Sequence, residues 1–185
     1  MNTPRLAIAL CHYPILDPDG QVVTSAITSL DLHDLARCAA TYGVAAAYAV
    51  TPIQKQRELI ETVIHHWTDG PGLERCPNRG QAFELVQPAG SIEEVIALET
   101  QRGGGEPLVV STSARLAPGV LRYDELRPRL ERESAVLLFG TGRGLAPAAL
   151  ARASVRLAPI CGPGEWNHLS VRAAIAIVLD RLRGH

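Results

Sequence analysis

The sequence predicts an α/β protein in which a parallel β-sheet is flanked by helices. Patterns typical of strands and of helices alternate along the chain, and the strand-like segments are apolar at nearly every position. Such strands are buried on both faces, as in parallel sheets that helices cover on both sides. No repeat, low-complexity tract or linker divides the chain, so residues 1–185 are predicted to form a single domain.

The predicted strands follow the short apolar runs of the chain. They lie at residues 6–10, 44–50, 82–86, 107–111 and 135–139, with a further extended piece at 154–157. Residues 13–20 contain two prolines and a glycine, and residues 68–80 are rich in Gly, Pro, Asn and Arg. Both segments are therefore predicted to be loops.

The predicted helices show apolar residues three and four positions apart. They run over residues 31–42, 52–67, 92–102, 123–133 and 168–182. Asp31 is a plausible N-cap of the first helix, and Ser91 with Glu94 forms a capping box for the third. The last helix is apolar on nearly all sides between Ala173 and Leu179, which predicts burial on several sides and a subunit interface.

Composition excludes several classes of protein. The formal net charge of −1 excludes nucleic-acid binding through bulk positive charge, so any RNA contact must come from local clusters. No apolar run reaches the roughly 18 residues of a membrane span, and a secretory signal is not recognisable, so we expect a cytoplasmic protein without a membrane partner. The 4 cysteines are widely scattered, which predicts free thiols and no metal site.

A glycine-rich turn is the first candidate for chemistry. The apolar strand that starts near Val136 runs directly into Gly140, Gly142 and Gly144, followed by Leu145. Glycines in such a turn let the backbone approach a ligand and present its N–H groups. Leu145 occupies the third glycine position of the dinucleotide fingerprint, which disfavours a nucleotide-binding oxidoreductase. A tight strand-to-helix turn without a ligand is the alternative interpretation.

Two further segments carry candidate residues. Asn167, His168 and Ser170 cluster at the start of the last helix, where N-capping and free backbone donors are expected. A capped core helix is the alternative there. In the first helix, His33 and Arg37 are four residues apart and share one face. A surface ion pair between Arg37 and the aspartate at position 34 is the alternative for that helix.

Together the three segments resemble the SpoU branch of the knotted SPOUT RNA methyltransferases, and most closely a small bacterial subfamily of this length. Motif one of that branch is Asn, an Arg six residues later and an aromatic–Gly pair, which matches Asp31, Arg37 and Tyr42-Gly43. Motif two is an apolar strand ending in a Gly-rich turn and Gly-Leu, which matches residues 137–145. Motif three matches Pro159-Ile160 and residues 167–175. The chain departs from the pattern in having Asp where motif one begins with Asn.

The resemblance implies a C-terminal trefoil knot whose loops bind S-adenosylmethionine. The implied cofactor-binding residues are Ser111, Thr112, Gly140, Thr141, Gly142, Gly144, Leu145, Pro159, Ile160, Asn167, His168, Leu169 and Ser170. The implied activity is methyl transfer to the ribose 2′-OH or the base of a tRNA or rRNA nucleotide, by a homodimer joined through its last helix. The candidate catalytic residues are Arg37, Asp31 and His168, with His33 as a further candidate.

Arg75 and Arg79 lie in the predicted loop 68–80. We expect them to contact RNA phosphate, and a solvated loop is the alternative. The departure at motif one keeps a second class of function open, namely a non-catalytic RNA-binding or assembly factor that retains the cofactor-binding knot.

Overall fold

A computed structural model describes residues 3–184. The strands are β1 (Leu6–Cys11), β2 (Ile15–Leu16), β3 (Val22–Val23), β4 (Ala46–Val50), β5 (Val86–Ala89), β6 (Leu108–Ser111), β7 (Ala135–Gly140) and β8 (Val155–Arg156). The helices are α1 (Ser29–Thr41), α2 (Gln54–Thr68), α3 (Pro71–Arg75), α4 (Pro77–Phe83), α5 (Ile92–Gly103), α6 (Tyr123–Leu130), α7 (Pro147–Leu150) and α8 (Val171–Arg183).

Six strands form one parallel sheet in the order β5-β4-β1-β7-β6-β8. This arrangement confirms the predicted fold class. β1 lies at the centre, where Cys11 is in register with Val50 of β4 on one side and with Gly140 of β7 on the other. The strand order reverses between β1 and β7, since the chain builds outward to β5 from β1 and later fills the opposite half. In open α/β sheets, ligands bind beyond the carboxyl ends of the strands at such a reversal.

The sheet separates two apolar layers, because side chains of successive strand residues point to opposite faces. In β1, Leu6, Ile8 and Leu10 pack into the layer that α1, α4, α6 and α8 cover. The alternate residues Ala7 and Ala9 pack into the layer covered by α5 and α7. Burial on both faces explains why the predicted strands are apolar at nearly every position.

The predicted loop 68–80 and the strand predicted at 82–86 are wrong in detail. The segment forms α3 and α4, and Pro71 and Pro77 stand in the first turn of each helix, where a missing N–H leaves no intrahelical bond unmade. Ala82 and Phe83 complete α4, so β5 begins only at Val86. The predicted loop 13–20 contains β2, which pairs with β3 in a small antiparallel ribbon.

The predicted N-cap at Asp31 is also wrong. Thr28 caps α1: its hydroxyl accepts a hydrogen bond from the backbone N–H of Asp31, and the Asp31 carboxylate accepts one from the N–H of Thr28. Asp31 therefore stands at the third helical position and closes a capping box. The predicted cap Ser91 is confirmed, although the Glu94 carboxylate accepts from the N–H of Gly90.

The last helix begins at Val171, with Ser170 as its N-cap, and not at the predicted position 168. Within this chain it buries a single stripe, which consists of Ile175, Val178, Leu179 and Leu182. Its other apolar positions remain half-exposed, so the predicted burial on several sides is not complete in one chain. The trefoil knot stays a prediction. Across residues 3–184, no helix is both long enough and apolar enough to span a bilayer.

Candidate functional site

A cavity of about 440 Å³ lies beyond the carboxyl ends of β6 and β7. Most of its wall comes from three segments: residues 112–115 after β6, 139–144 at the end of β7, and parts of 158–171 before and at the start of α8. Tyr123 of α6 and two further residues of α8 complete the wall. The cavity therefore lies beside the reversal of strand order between β1 and β7. This is where a ligand is expected in an open parallel sheet.

Most residues predicted to bind the cofactor lie in the cavity wall. These are Thr112, Gly140, Thr141, Gly142, Gly144, Ile160, Asn167, His168, Leu169 and Ser170. The other three, Ser111, Leu145 and Pro159, are buried, and each directly adjoins a lining residue in the sequence. The structure thus brings together residues that are up to about 60 positions apart in the sequence, as expected when successive loops meet at one sheet edge.

The glycine turn folds tightly back on the end of β7. A methyl group at Gly140 would lie 2.6 Å from the amide nitrogen of Leu145 and 2.9 Å from the carbonyl carbon of Gly144. Gly142 has a φ of 58° and lies against the carbonyl oxygen of Leu16. The amide of Arg143 donates to that same oxygen, at 2.9 Å. These glycines are therefore needed for the fold of the turn itself.

The wall is also held by polar contacts between the segments. The Asn167 side-chain amide donates to the carbonyl oxygen of Ala114 at 2.9 Å, which ties the segment before α8 to the loop after β6. The Thr112 hydroxyl donates to the carbonyl oxygen of Leu138 at 2.9 Å. His168 is exposed, and its ring lies edge-on to Trp166 with the ring centroids 5.0 Å apart.

Arg115 and Arg143 line the cavity although neither was singled out from the sequence. Arg115 lies four residues after the end of β6, and Arg143 lies inside the glycine turn. Their positions after two strands on the same side of the sheet were the available signal. Two guanidinium groups at the cavity give it a local positive charge that the net charge of the chain does not indicate.

Two of the motif-one residues, Arg37 and Tyr42, line a second hollow between α1 and α8. Arg37 is exposed there and shares the hollow with Arg172, and Ser170 lines both this hollow and the main cavity. The Asp31 carboxylate accepts from Thr28 and lies 3.5 Å from the Arg172 guanidinium. Asp31 is thus engaged in a capping box and an ion pair.

The ion pair between Arg37 and Asp34, the alternative interpretation of this helix, is not formed. Asp34 instead accepts from Arg172 at 2.7 Å, because α8 packs alongside α1 and brings Arg172 within reach. The structure therefore leaves the Arg37 side chain in the hollow and ties α1 to α8 through Arg172.

Arg79 lies above the ring of Trp67, with its guanidinium carbon 4.7 Å from the ring centroid. His33 packs edge-on against Trp67 at 5.3 Å and against Phe83 at 5.0 Å. Burial lowers the pKa of His33, and the positive charges of Arg79 and Arg37 lower it further. The charges of Arg79 and Arg37 therefore both act on this one histidine.

Arg75 is exposed at the end of α3. α3 and α4 pack closely against the end of α2. A methyl group at Gly72 would lie 2.7 Å from the Trp67 ring, and one at Gly80 would lie 2.8 Å from the Trp67 carbonyl oxygen.

Among residues 3–184, no three histidine, cysteine or acidic side chains are placed to hold a metal ion.

The chain is similar in sequence to RNA methyltransferases. A family model described as SAM-dependent RNA methyltransferase matches residues 5–184. A tRNA (guanine-N(1)-)-methyltransferase of Oleidesulfovibrio alaskensis is 44% identical over 180 residues, which make up 97% of this chain and 42% of that relative. An uncharacterized protein of Aquifex aeolicus is 41% identical over 184 residues, which cover 98% of this chain and 90% of the relative. The chain thus spans less than half the length of the first relative.

Solved structures share the fold. The SpoU methyltransferase AviRb of Streptomyces viridochromogenes, in complex with AdoMet, matches with a TM-score of 0.61 and 16% identity, covering 98% of this chain and 58% of that one. An AdoMet-bound rRNA methyltransferase of Sinorhizobium meliloti matches with a TM-score of 0.60 and 20% identity, covering 98% and 56%. The SpoU-like fold inferred from the three motif segments is confirmed.

Proposed function

We propose that this chain, which belongs to the family of SAM-dependent RNA methyltransferases, binds S-adenosylmethionine in the cavity beyond β6 and β7 and transfers its methyl group to a nucleotide of tRNA. One observation carries the proposal: Ser170 lines both the cavity and the hollow around Arg37. Arg37 and Arg79 are in turn both close enough to His33 for their charges to lower its pKa. A cofactor cavity and an RNA-binding surface that adjoin each other are what methyl transfer to RNA needs.

The residues of the cavity fit the cofactor. Its volume of about 440 Å³ falls within the range of about 300–1,000 Å³ typical of small-molecule sites. Apolar side chains such as Phe139 and Ile160 can pack on the adenine ring, and the Asn167 amide and Thr141 hydroxyl offer polar contacts. The guanidinium of Arg143 is suited to the carboxylate of the methionine part. When bound, S-adenosylmethionine supplies an electrophilic methyl group together with its own leaving group.

The proposed RNA-binding surface consists of Arg37, Arg75 and Arg79, with His66 beside them. Arg79 is held by its contact with the Trp67 ring, so little side-chain entropy is lost when it meets a phosphate. The chain has a net charge of −1, so this local cluster must provide the attraction to RNA. The tRNA substrate is proposed from the name of the Oleidesulfovibrio relative, of which 42% aligns with this chain.

Few side chains near the cavity could remove a proton from the RNA group that accepts the methyl. Arg37 is a poor base, since a guanidinium group stays protonated in proteins, but it can hold a phosphate or stabilise a developing oxyanion. Asp31 is engaged with Thr28 and Arg172. His168 lines the cavity, is exposed and can accept a proton. We therefore propose His168 as the general base and Arg37 as the group that orients the acceptor, whether ribose hydroxyl or base.

We also propose a cytoplasmic homodimer joined through α8. The half-exposed residues Ala173, Ala176 and Ile177 form an apolar strip on the side of α8 that this chain does not bury. Light scattering during gel filtration should give twice the chain mass of 19.8 kDa. Replacing Ile177 with Glu should shift the protein to the monomer, and an unchanged mass would contradict the interface.

The activity is tested with labelled S-adenosylmethionine and separate tRNA and rRNA fractions. Label should enter tRNA with the wild type and fall by about 10²-fold with Arg37→Ala and with His168→Ala. Binding of the cofactor without transfer to either RNA would instead favour the non-catalytic RNA-binding factor, an alternative that the engaged Asp31 carboxylate supports. Absence of cofactor binding in calorimetry would contradict the proposal outright.

The RNA-binding surface is tested by charge reversal. Arg75→Glu with Arg79→Glu should weaken tRNA binding by at least tenfold at low salt and flatten the salt dependence. The matched control carries the same charge change at Arg132 and Arg156, which are also exposed. Equal loss of affinity in the two variants would show that total charge, and not this surface, governs RNA binding.

A further inference from the structure

A buried histidine lies where the strand order reverses. His12 directly follows β1 and has an exposed fraction of 1%. Its backbone is fixed on both sides, because its N–H donates to the Val50 carbonyl oxygen and its own carbonyl oxygen accepts from the N–H of Ser25, each at 2.9 Å. The imidazole Nε2 is buried and has no hydrogen-bond partner among residues 3–184. Burial of a polar group in this way requires an explanation.

The other ring nitrogen begins a chain of hydrogen bonds that leads to the cavity. His12 Nδ1 lies 2.8 Å from Ser25 Oγ, and Ser25 Oγ lies 2.6 Å from Thr141 Oγ1. Thr141 belongs to the glycine turn and lines the cavity. The three side chains thus join the end of β1, the segment before α1 and the end of β7. They connect a buried imidazole to the wall of the proposed cofactor site.

The direction of these hydrogen bonds follows from the last group in the chain. Thr141 Oγ1 also lies 3.3 Å from the carbonyl oxygen of Cys11, which can only accept. The Thr141 hydroxyl therefore donates to Cys11 and accepts from Ser25, and Ser25 in turn accepts from Nδ1–H of His12. The opposite direction would place an N–H at the buried Nε2, and a buried donor without a partner is rarer than a buried acceptor.

Burial favours the neutral imidazole that this arrangement requires. It lowers the pKa of His12, while the charge of Asp31 acts in the opposite direction. A hydroxyl has one proton and two lone pairs. In Thr141 the proton and one lone pair are used by Cys11 and Ser25, so one lone pair is left. Towards a ligand in the cavity, Thr141 can therefore act as a hydrogen-bond acceptor and not as a donor.

We propose that His12 and Ser25 are positioning residues that fix the Thr141 hydroxyl as an acceptor for a donor group of S-adenosylmethionine, either an amino group or a ribose hydroxyl. This rests on the proposed function, in that the cavity binds S-adenosylmethionine. A role in folding alone would be served as well by apolar side chains, since three buried or half-buried polar groups are costly to desolvate. The chain of hydrogen bonds ends at a cavity residue because it acts on the ligand.

The test compares cofactor affinity with stability in matched variants. Calorimetric titration with S-adenosylmethionine should show Ser25→Ala and Thr141→Val each weakening binding by about tenfold, while Ser25→Thr and Thr141→Ser, which keep the hydroxyl, stay within about threefold of the wild type. His12→Leu should weaken binding as Ser25→Ala does, and His12→Asn, which can donate to Ser25, should restore most of the affinity. Ser25 and Thr141 are half-buried, so their variants remain informative if His12→Leu does not fold.

Two further measurements separate positioning from a structural role. His12→Leu combined with Ser25→Ala should weaken binding no more than either change alone, because both act through Thr141. The nitrogen chemical shifts of the wild-type imidazole should report the neutral Nδ1–H tautomer. Three results would overturn the proposal. The variants could lose stability while their cofactor affinity stays unchanged, the losses of affinity could multiply in the double variant, or the imidazole could be the Nε2–H tautomer. A wild type that fails to bind S-adenosylmethionine would overturn the proposed function as well, whereas wild-type binding with unaffected variants would overturn this inference alone.

Discussion

Replacing Gly140 with Ala should damage the cavity and the fold together. The added methyl group would lie 2.6 Å from the Leu145 amide nitrogen and 3.0 Å from Leu145 Cγ. The first contact is with backbone, so a side-chain rotation cannot relieve it. The turn must open by roughly 1 Å to reach ordinary van der Waals distance, and overpacking of this kind costs about 1–3 kcal/mol.

That loss should appear in both stability and cofactor affinity. For a chain of this length, 1 kcal/mol lowers the melting temperature by roughly 2–4 °C, so Gly140→Ala should melt about 4–8 °C below the wild type for a cost of about 2 kcal/mol. Displacing the cavity wall by roughly 1 Å should weaken S-adenosylmethionine binding by at least about tenfold. Differential scanning calorimetry and isothermal titration measure the two effects.

Gly105→Ala is the matched control. It makes the same chemical change beyond the end of α5, where no described atom outside Gly105 and its two chain neighbours lies within 4 Å of the added methyl group. This control should leave the melting temperature and the cofactor affinity close to those of the wild type. If Gly140→Ala behaves like Gly105→Ala, the inference that the tight turn shapes the cavity is refuted.

Three further outcomes are expected. Asp31→Asn weakens the capping box and should lower the free energy of unfolding, measured by denaturant titration, by about 1 kcal/mol. The methylation rate should stay within a few-fold of the wild type. Loss of the rate at unchanged cofactor affinity would instead identify Asp31 as catalytic. Burial lowers the folded-state pKa of His12 and of His33, so near and below pH 6.5 the unfolded chain binds more protons than the folded one. The free energy of unfolding should therefore fall as the pH drops below about 6.5. An unfolding free energy that does not change with pH in this range would contradict the burial of the two histidines. Iodoacetamide should label the exposed Cys161 in the native protein. Cys11 is buried, and burial raises its pKa to about 12, so it should be labelled only after unfolding. Labelling of Cys11 in the native protein would contradict its buried position.

The local pattern was sufficient for the sheet but not for the segment 68–80. The parallel strands are apolar on both faces, and that signal lies within each strand. α3 and α4 are too short to be stable alone, and they form because Gly72 and Gly80 let them pack against Trp67. Their glycines and prolines resemble loop signals when the sequence is considered without that contact.

The cap of α1 was within reach of the sequence. Thr28 and Asp31 stand at the spacing of a capping box, whereas the apolar pattern alone places the start of the helix at Asp31. For the α8 boundary, Ser170 was identified among the candidate capping residues and does cap the helix. The first residue of each of these helices therefore depends on which of two nearby polar side chains accepts a backbone N–H of the first turn. The backbone geometry of the folded chain determines which one does.

The sequence by itself determined the parallel α/β sheet and pointed to the glycine turn and the start of the last helix, because each is a local pattern of apolar runs, glycines or capping residues. The remaining segment of the cavity wall, after β6, followed only from the resemblance to the SpoU methyltransferases. Only the tertiary structure decided which polar groups meet. Ser25 and Thr141 are 116 residues apart, and Arg172 pairs with an aspartate 138 residues away. The physical reason is that hydrogen bonds and ion pairs act over a few ångströms in space, and sequence spacing indicates such neighbours only within a helix, a strand or a turn.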